Sequence, residues 1–112
     1  MSCVPLTLPN AMVTFVRMDE VLQALGDGSR RTILEMLREH PATAGELADA
    51  LPIARPGVSR HLRVLREAGL VSVEQDAQRR IYTLEPAALV EVDEWLASYR
   101  PLLPGVVESA PT

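Results

Sequence analysis

The stretch Thr43 to Gly69, TAGELADALPIARPGVSRHLRVLREAG, holds the side chains best placed to do chemistry. Val58, Leu62 and Leu65 recur there at helical spacing, with Ser59, Arg60, Arg63 and Arg66 between them. A helix that turns the three apolar residues inward must turn Ser59, Arg60 and Arg63 outward. An outward arginine can pair in bidentate fashion with guanine O6 and N7, and a serine can reach a phosphate or a base edge. Arg55, near the start of the same helix, suits a phosphate, as do the unpaired backbone amides there. Thr43 is a further phosphate candidate. A short helix, a turn and a longer arginine-bearing helix is the arrangement that lays a helix in a DNA major groove.

The elements that must position these groups can be read from period and punctuation. Residues 1–11 are interrupted by Pro5 and Pro9 and read as an extended arm. Phe15, Met18, Val21, Leu22 and Leu25 repeat at helical spacing, which predicts a first helix over residues 12–25. Gly26 to Ser29 breaks it, and Asp27 is the N-cap candidate for a second helix to about Glu39, with Ile33, Leu34 and Leu37 as its apolar stripe. His40-Pro41 ends that helix, because the residue before proline is driven out of the α region.

Thr43 and Glu46 have capping-box spacing and open a short third helix ending near Leu51. The fourth helix runs from about Arg55 to Ala68, with Gly69 as its C′ residue. Leu70 to Gln75 and Arg79 to Leu84 are strand-like, and the polar turn at Asp76 to Gln78 folds them into a hairpin. Arg79 and Arg80 follow that turn; strand neighbours alternate, so one of the two must point inward or sideways. A last helix starts at Pro86 and runs to about Tyr99, closed by Pro101 and Pro104.

The last helix carries apolar residues over a wide arc, with Leu89, Val92, Leu96 and Tyr99 on one stripe and Trp95 beside it. Such a helix is covered on more than one side. In so short a chain the second cover is expected to be another subunit. The candidate dimer interface is Phe15, Met18, Val21, Leu22, Leu89, Val92, Trp95, Leu96 and Tyr99, a two-fold pairing of first and last helices.

A chain of 112 residues implies one domain with a modest core. Its 47 % apolar content suits a folded protein and not a disordered one. The single cysteine, Cys3, excludes an intrachain disulfide. The first sixteen residues lack a basic n-region, so no signal peptide is read there, and no stretch approaches the roughly 20 apolar residues of a membrane span. A cytoplasmic protein without membrane contact is the expectation. The net charge of −4 conceals an uneven distribution: residues 55–80 hold six arginines against three acids. A local basic face is what phosphate contact requires, whatever the overall charge. An enzyme is not indicated: there is no Gly-rich phosphate loop, nucleophile–base pair or carboxylate pair.

The order of elements is that of a winged helix. The string Val58-Ser59-Arg60-His61-Leu62, followed by Leu65-Arg66-Glu67-Ala68-Gly69-Leu70-Val71, closely resembles the ArsR/SmtB family of bacterial repressors, as does Leu25 to Leu34. The resemblance spans roughly residues 18–99. It implies a dimeric transcriptional regulator on a palindromic operator, with recognition helices in successive major grooves and hairpin wings on the flanking backbone. The candidate DNA contacts are then Thr43, Arg55, Gly57, Ser59, Arg60, His61, Arg63, Arg79 and Arg80. For His61 a partly buried place at a helix–helix boundary is the other reading.

The sequence departs from the family pattern in three places. Ala54 stands where many relatives have a capping serine, a loss of ~1 kcal/mol. Gly57 in the first turn costs a further ~0.5–1 kcal/mol relative to alanine. Together they predict a soft N-terminus on the recognition helix. In the wing turn, Ala77 and Gln78 replace the usual glycine and basic residue. Finally, metal-responsive relatives carry a cysteine pair at the start of the third helix, where this chain has Thr43, Ala44 and Gly45; the last helix offers Glu91, Asp93 and Glu94 but no histidine. Thiophilic ions need two or three thiolates, and zinc or nickel several His or Cys ligands. No metal and no cofactor are therefore expected. Sensing is left to an accessory sensor protein, an organic ligand at the dimer interface, or control by abundance.

The expectation is a mainly α chain with a small β-hairpin wing, a winged helix-turn-helix over residues 12–100, an N-terminal arm over 1–11 and a flexible Pro-containing tail over 101–112. Its partners would be double-stranded operator DNA and a second copy of itself. A winged helix used only as a protein-interaction module is the alternative.

Overall fold

The computed structural model describes residues 17–105. The arm, Phe15 and the first turn of the predicted first helix lie outside them. Helix α1 covers residues 17–25 and is followed by α2 (Gly28–Glu39), β1 (Ala42–Thr43), α3 (Ala44–Ala50), α4 (Arg55–Glu67), β2 (Val71–Asp76) and β3 (Arg79–Leu84). A 3-10 turn (Pro86–Leu89), α5 (Val90–Ala97) and a second 3-10 turn (Arg100–Leu102) complete the described chain. The fold is the expected winged helix-turn-helix, mainly helical with a hairpin wing.

Each helix starts and stops for a local reason. Asp27 Oδ1 accepts from the amides of Ser29 and Arg30 at 2.8 and 3.1 Å, satisfying two orphan donors of α2. The capping box on α3 is complete: Glu46 N–H donates to Thr43 Oγ1 at 3.1 Å, and Thr43 N–H donates to Glu46 Oε1 at 2.9 Å. Helix α4 closes in a Schellman motif. Gly69, at φ +82°, donates to Arg66 O, and Leu70 N–H reaches Leu65 O at 2.9 Å. Leu65 and Leu70 are both fully buried, the apolar contact that accompanies this motif.

The core is built from the first four helices and the sheet: Val21 and Ala24 of α1, Ile33 and Leu37 of α2, Leu47 of α3, Val58, Leu62 and Leu65 of α4, then Ala42, Ala68, Leu70, Val71 and Tyr82. The last turn of α1 is tied down by arginines of α2. Arg30 Nε donates to Ala24 O at 2.7 Å, and Arg31 Nη1 to Leu25 O at 2.8 Å. The carbonyls that a helix end leaves unpaired are thereby satisfied by cations, which the helix dipole favours.

The sheet is three-stranded and antiparallel in the order β1-β3-β2. The strand β1 is not expected from the sequence; at two residues it is too short to show an alternating pattern. Its register is Ala42 with Tyr82 and Thr43 with Ile81. Strands β2 and β3 pair from Val71 with Leu84 to Asp76 with Arg79, leaving a two-residue loop of Ala77 and Gln78.

The last helix is shorter than the predicted span from Pro86 to Tyr99. The chain enters through a 3-10 turn, and the exit tightens again, with Tyr99 N–H bonded to Leu96 O at 2.9 Å. The tightening precedes Pro101, whose missing amide and bulk oppose a continuing α-helix. The predicted tail also begins differently: Arg100–Leu102 is ordered as the second 3-10 turn, with Arg100 paired to Asp93. Residues 106–112 lie outside the described chain.

Candidate nucleic-acid interface

Helix α4 buries Val58, Leu62 and Leu65 completely and leaves Ser59, Arg60 and Arg63 exposed. The wing stands beside it. Between α4 and β3 runs an open cleft of about 520 Å³ lined by Pro56, Ser59, Arg60, Arg63, Arg66 and Arg80, with Leu62 and Tyr82 at its floor. An adjoining cleft of about 360 Å³ is lined by Thr43, Arg55, Ser59, Gln78, Arg79 and Arg80. Ser59, Arg80 and Tyr82 belong to both clefts, so the two form one continuous trough. Seven of the nine candidate DNA contacts meet in it.

The arginines divide into two groups. Arg30 and Arg31 spend their guanidinium groups on backbone carbonyls, and Arg100 pairs with Asp93. Among the described residues, no side-chain hydrogen bond and no ion pair within 4.0 Å engages Arg55, Arg60, Arg63, Arg66, Arg79 or Arg80. Arg66 lines the trough as well. Its position one turn beyond Arg63 on the side of Ser59 is a signal the helical wheel could have given.

Arg55 lies across the first turn of α3, its guanidinium carbon 3.5 Å from where a Cβ on Gly45 would stand. Arg79 and Arg80 are both exposed, and pairing puts them on opposite faces of β3. Arg80 shares the face of Tyr82 toward α4. Arg79 sits opposite Asp76 in the ladder and near Glu46. The Glu46 carboxyl is held below the usual carboxylate range, first by the Thr43 amide, which outweighs the opposing desolvation, and then by the Thr43 hydroxyl, Arg79 and His40.

Two candidate contacts are elsewhere. Gly57 is fixed by packing: a Cβ there would meet Ile53 Cγ2 at 2.8 Å, so the absence of a side chain lets the turn before α4 close. His61 is half-buried and faces α2, where Arg30 Nη1 lies 3.3 Å from its Nδ1 and Asp27 Oδ1 lies 4.0 Å from its Nε2. It occupies the helix–helix boundary and not the trough.

The candidate dimer residues also separate. Val21 is 3 % exposed and belongs to the core of the single chain, because α1 packs that side against the chain's own helices. Met18, Leu89 and Val92 are half-buried. Leu22, Trp95, Leu96 and Tyr99 are exposed, with Trp95 and Tyr99 ring centroids 4.9 Å apart. Val90, Leu102 and Leu103 extend this apolar surface and are not among the sequence candidates.

The geometry agrees with the comparisons. The family model for bacterial regulatory proteins of the arsR family matches residues 27–73. The HTH-type transcriptional regulator Rv2034 of Mycobacterium tuberculosis is 47 % identical over 78 residues, covering 70 % of this chain and 73 % of the relative. The chain belongs to the ArsR family. A second relative, the transcriptional repressor SdpR of Bacillus subtilis, is 32 % identical over 73 % of this chain and 91 % of its own. The solved structure of an ArsR-like transcriptional regulator from Rhodococcus sp. RHA1 superposes with a TM-score of 0.70 at 29 % identity, covering 76 % of this chain and 80 % of that one. As an ArsR family member the chain is a DNA-binding transcriptional regulator and not an enzyme. Among the described residues, no helix is long and apolar enough to cross a membrane.

Proposed function

We propose that this protein is a homodimeric repressor that reads a palindromic operator by placing α4 of each protomer in successive major grooves. One observation carries the reading: six arginines that have no side-chain partner among the described residues converge with Ser59 and Thr43 on a single trough beside an exposed helix face. Arg60 and Arg63 are positioned for base edges, while Arg55, Arg79 and Arg80 suit the phosphates on either side. The pairing of subunits is supported by the exposed apolar surface of α1 and α5, and repression by the likeness to a named repressor. An interaction module that never meets DNA has no use for unpaired arginines in this arrangement.

The test is affinity for a duplex selected from a random pool and for a scrambled duplex, each at two salt concentrations. Arg60→Ala is expected to lose about 1–3 kcal/mol of preference for the selected duplex. Arg79→Ala should weaken both duplexes about equally and reduce the salt slope by about one. No duplex binding at low salt would favour the interaction module, and an Arg60→Ala protein with intact preference would refute the assignment of roles.

The inducing signal enters through an accessory protein or another effector. This is supported by Thr43, Ala44 and Gly45 standing where metal-responsive relatives have thiolates. Titration with zinc, nickel, copper and arsenite checks it: a tight site made by this chain's own groups overturns it.

A further inference from the structure

His61 sits in the middle of α4 with its side chain 19 % exposed, turned toward the junction of α1 and α2. Arg30 Nη1 lies 3.3 Å from His61 Nδ1. A guanidinium can only donate, so Nδ1 accepts and the neutral ring carries its hydrogen on Nε2, the nitrogen facing Asp27. The rest of the Arg30 fork is committed to α1: Nε donates to Ala24 O at 2.7 Å, and Nη2 to Gln23 O at 3.3 Å. Asp27 Oδ1 is the cap of α2 and lies 4.0 Å from His61 Nε2. A planar guanidinium offers these donors in a fixed geometry. The carbonyls ending α1 and one ring of α4 are thus joined through a single rigid group carried by α2.

We propose that His61 is a positioning residue for DNA reading, locking the rotation of the recognition helix to the last turn of α1 through Arg30. His61 touches no base in this role. It lies between Arg60 and Leu62, so the azimuth it fixes is the azimuth at which Arg60 and Arg63 meet a base edge. Bidentate pairing demands that angle, whereas a phosphate contact by a flexible arginine tolerates some rotation. Loss of the lock should therefore cost specific binding and spare non-specific binding. The inference rests on the reading of α4 as the recognition helix.

The experiment uses the full chain, the selected duplex and the scrambled duplex. His61→Ala is expected to bind the selected duplex about tenfold more weakly, with the scrambled duplex within about twofold and the salt slope unchanged. Arg30→Ala, outside the trough, should lose a similar factor, and the double variant no more than the worse single one. His61→Asn, whose Oδ1 can accept from Arg30, should recover most of the loss. Where His61→Ala does not fold, His61→Phe keeps the ring volume, removes both nitrogens and is read in the same way.

Factors that multiply in the double variant overturn the inference. So does an equal loss on both duplexes with a shallower salt slope, which would make His61 a phosphate contact. So does an undiminished preference in His61→Ala. A wild-type chain that does not distinguish the duplexes overturns the reading of α4 and this inference with it.

Discussion

Ala77 holds a backbone conformation that its side chain resists. It is the first residue of the two-residue wing loop, and its φ of +60° lies in the left-handed region. An L-residue with a Cβ costs about 1–2 kcal/mol there, a cost glycine avoids. Part of the gain from removing the methyl is returned through the greater freedom of glycine in the unfolded chain. Ala77→Gly is therefore expected to stabilise the protein by about 0.5–1 kcal/mol, read as a higher urea midpoint with unchanged m-value. Gly57 shows the opposite case. The sequence marks it as a helix-weakening residue near DNA, yet the contact that requires it, Ile53 Cγ2, is visible only once the turn is built. His61 is open between two roles in the sequence for a related reason: its ring lies on the border of the apolar stripe, and the approach of Arg30 to it is not written in the spacing.

Caps explain most of what the sequence reveals about the helices and part of what it hides. Asp27, the Thr43–Glu46 pair and Gly69 act within a few residues of themselves, so their spacing was sufficient to place the ends of α2, α3 and α4. The last helix was overextended because its apolar spacing continues through turns whose hydrogen bonds have tightened to the 3-10 pattern. At the start of α4, Ala54 makes no side-chain cap bond. The loss is softened locally: Pro56 brings no amide to satisfy, and Gly57 N–H already reaches Ala54 O at 2.9 Å. Ala54→Ser should still raise stability by about 0.5–1 kcal/mol in thermal or urea unfolding. The acidic caps make a prediction for pH. The Asp27 carboxyl is held below its ordinary range chiefly by the Arg30 amide, which outweighs the opposing desolvation, with His61, the Ser29 amide and the Arg30 charge adding to it; Glu46 is likewise lowered. Groups lowered by folding stabilise the native state fully above their unfolded pKa values, and that contribution is lost as pH falls through the folded ones. Unfolding midpoints should thus drop between about pH 5 and pH 3. Asp27→Asn with Glu46→Gln should flatten that drop; an equally steep fall in the double variant would assign it to other carboxylates.

At the scale of the molecule, charge and apolar surface occupy different sides. The trough gathers Arg55, Arg60, Arg63, Arg66, Arg79 and Arg80, while Leu22, Trp95, Leu96, Tyr99 and Leu102 present apolar surface from the first helix, the last helix and the turn after it. Trp95 is 48 % exposed in the single chain. Trp95→Glu is expected to leave the fold intact and shift the protein toward monomer in sedimentation, with weaker binding to a duplex carrying two half-sites. An unchanged dimer would remove α5 from the pairing surface. A partner-facing last helix is an expectation from its wide apolar arc, whereas the inward turn of Val21 depends on how α1 leans on its own chain, which periodicity does not record. One further property follows from the shortest strand. Thr43 pairs with Ile81 of the wing and, through its hydroxyl and amide, also begins α3. The hairpin and the helix-turn-helix are therefore stitched at a common residue. Spreading them apart means unpicking that seam, so under the proposed function the trough offers a duplex a preset gauge.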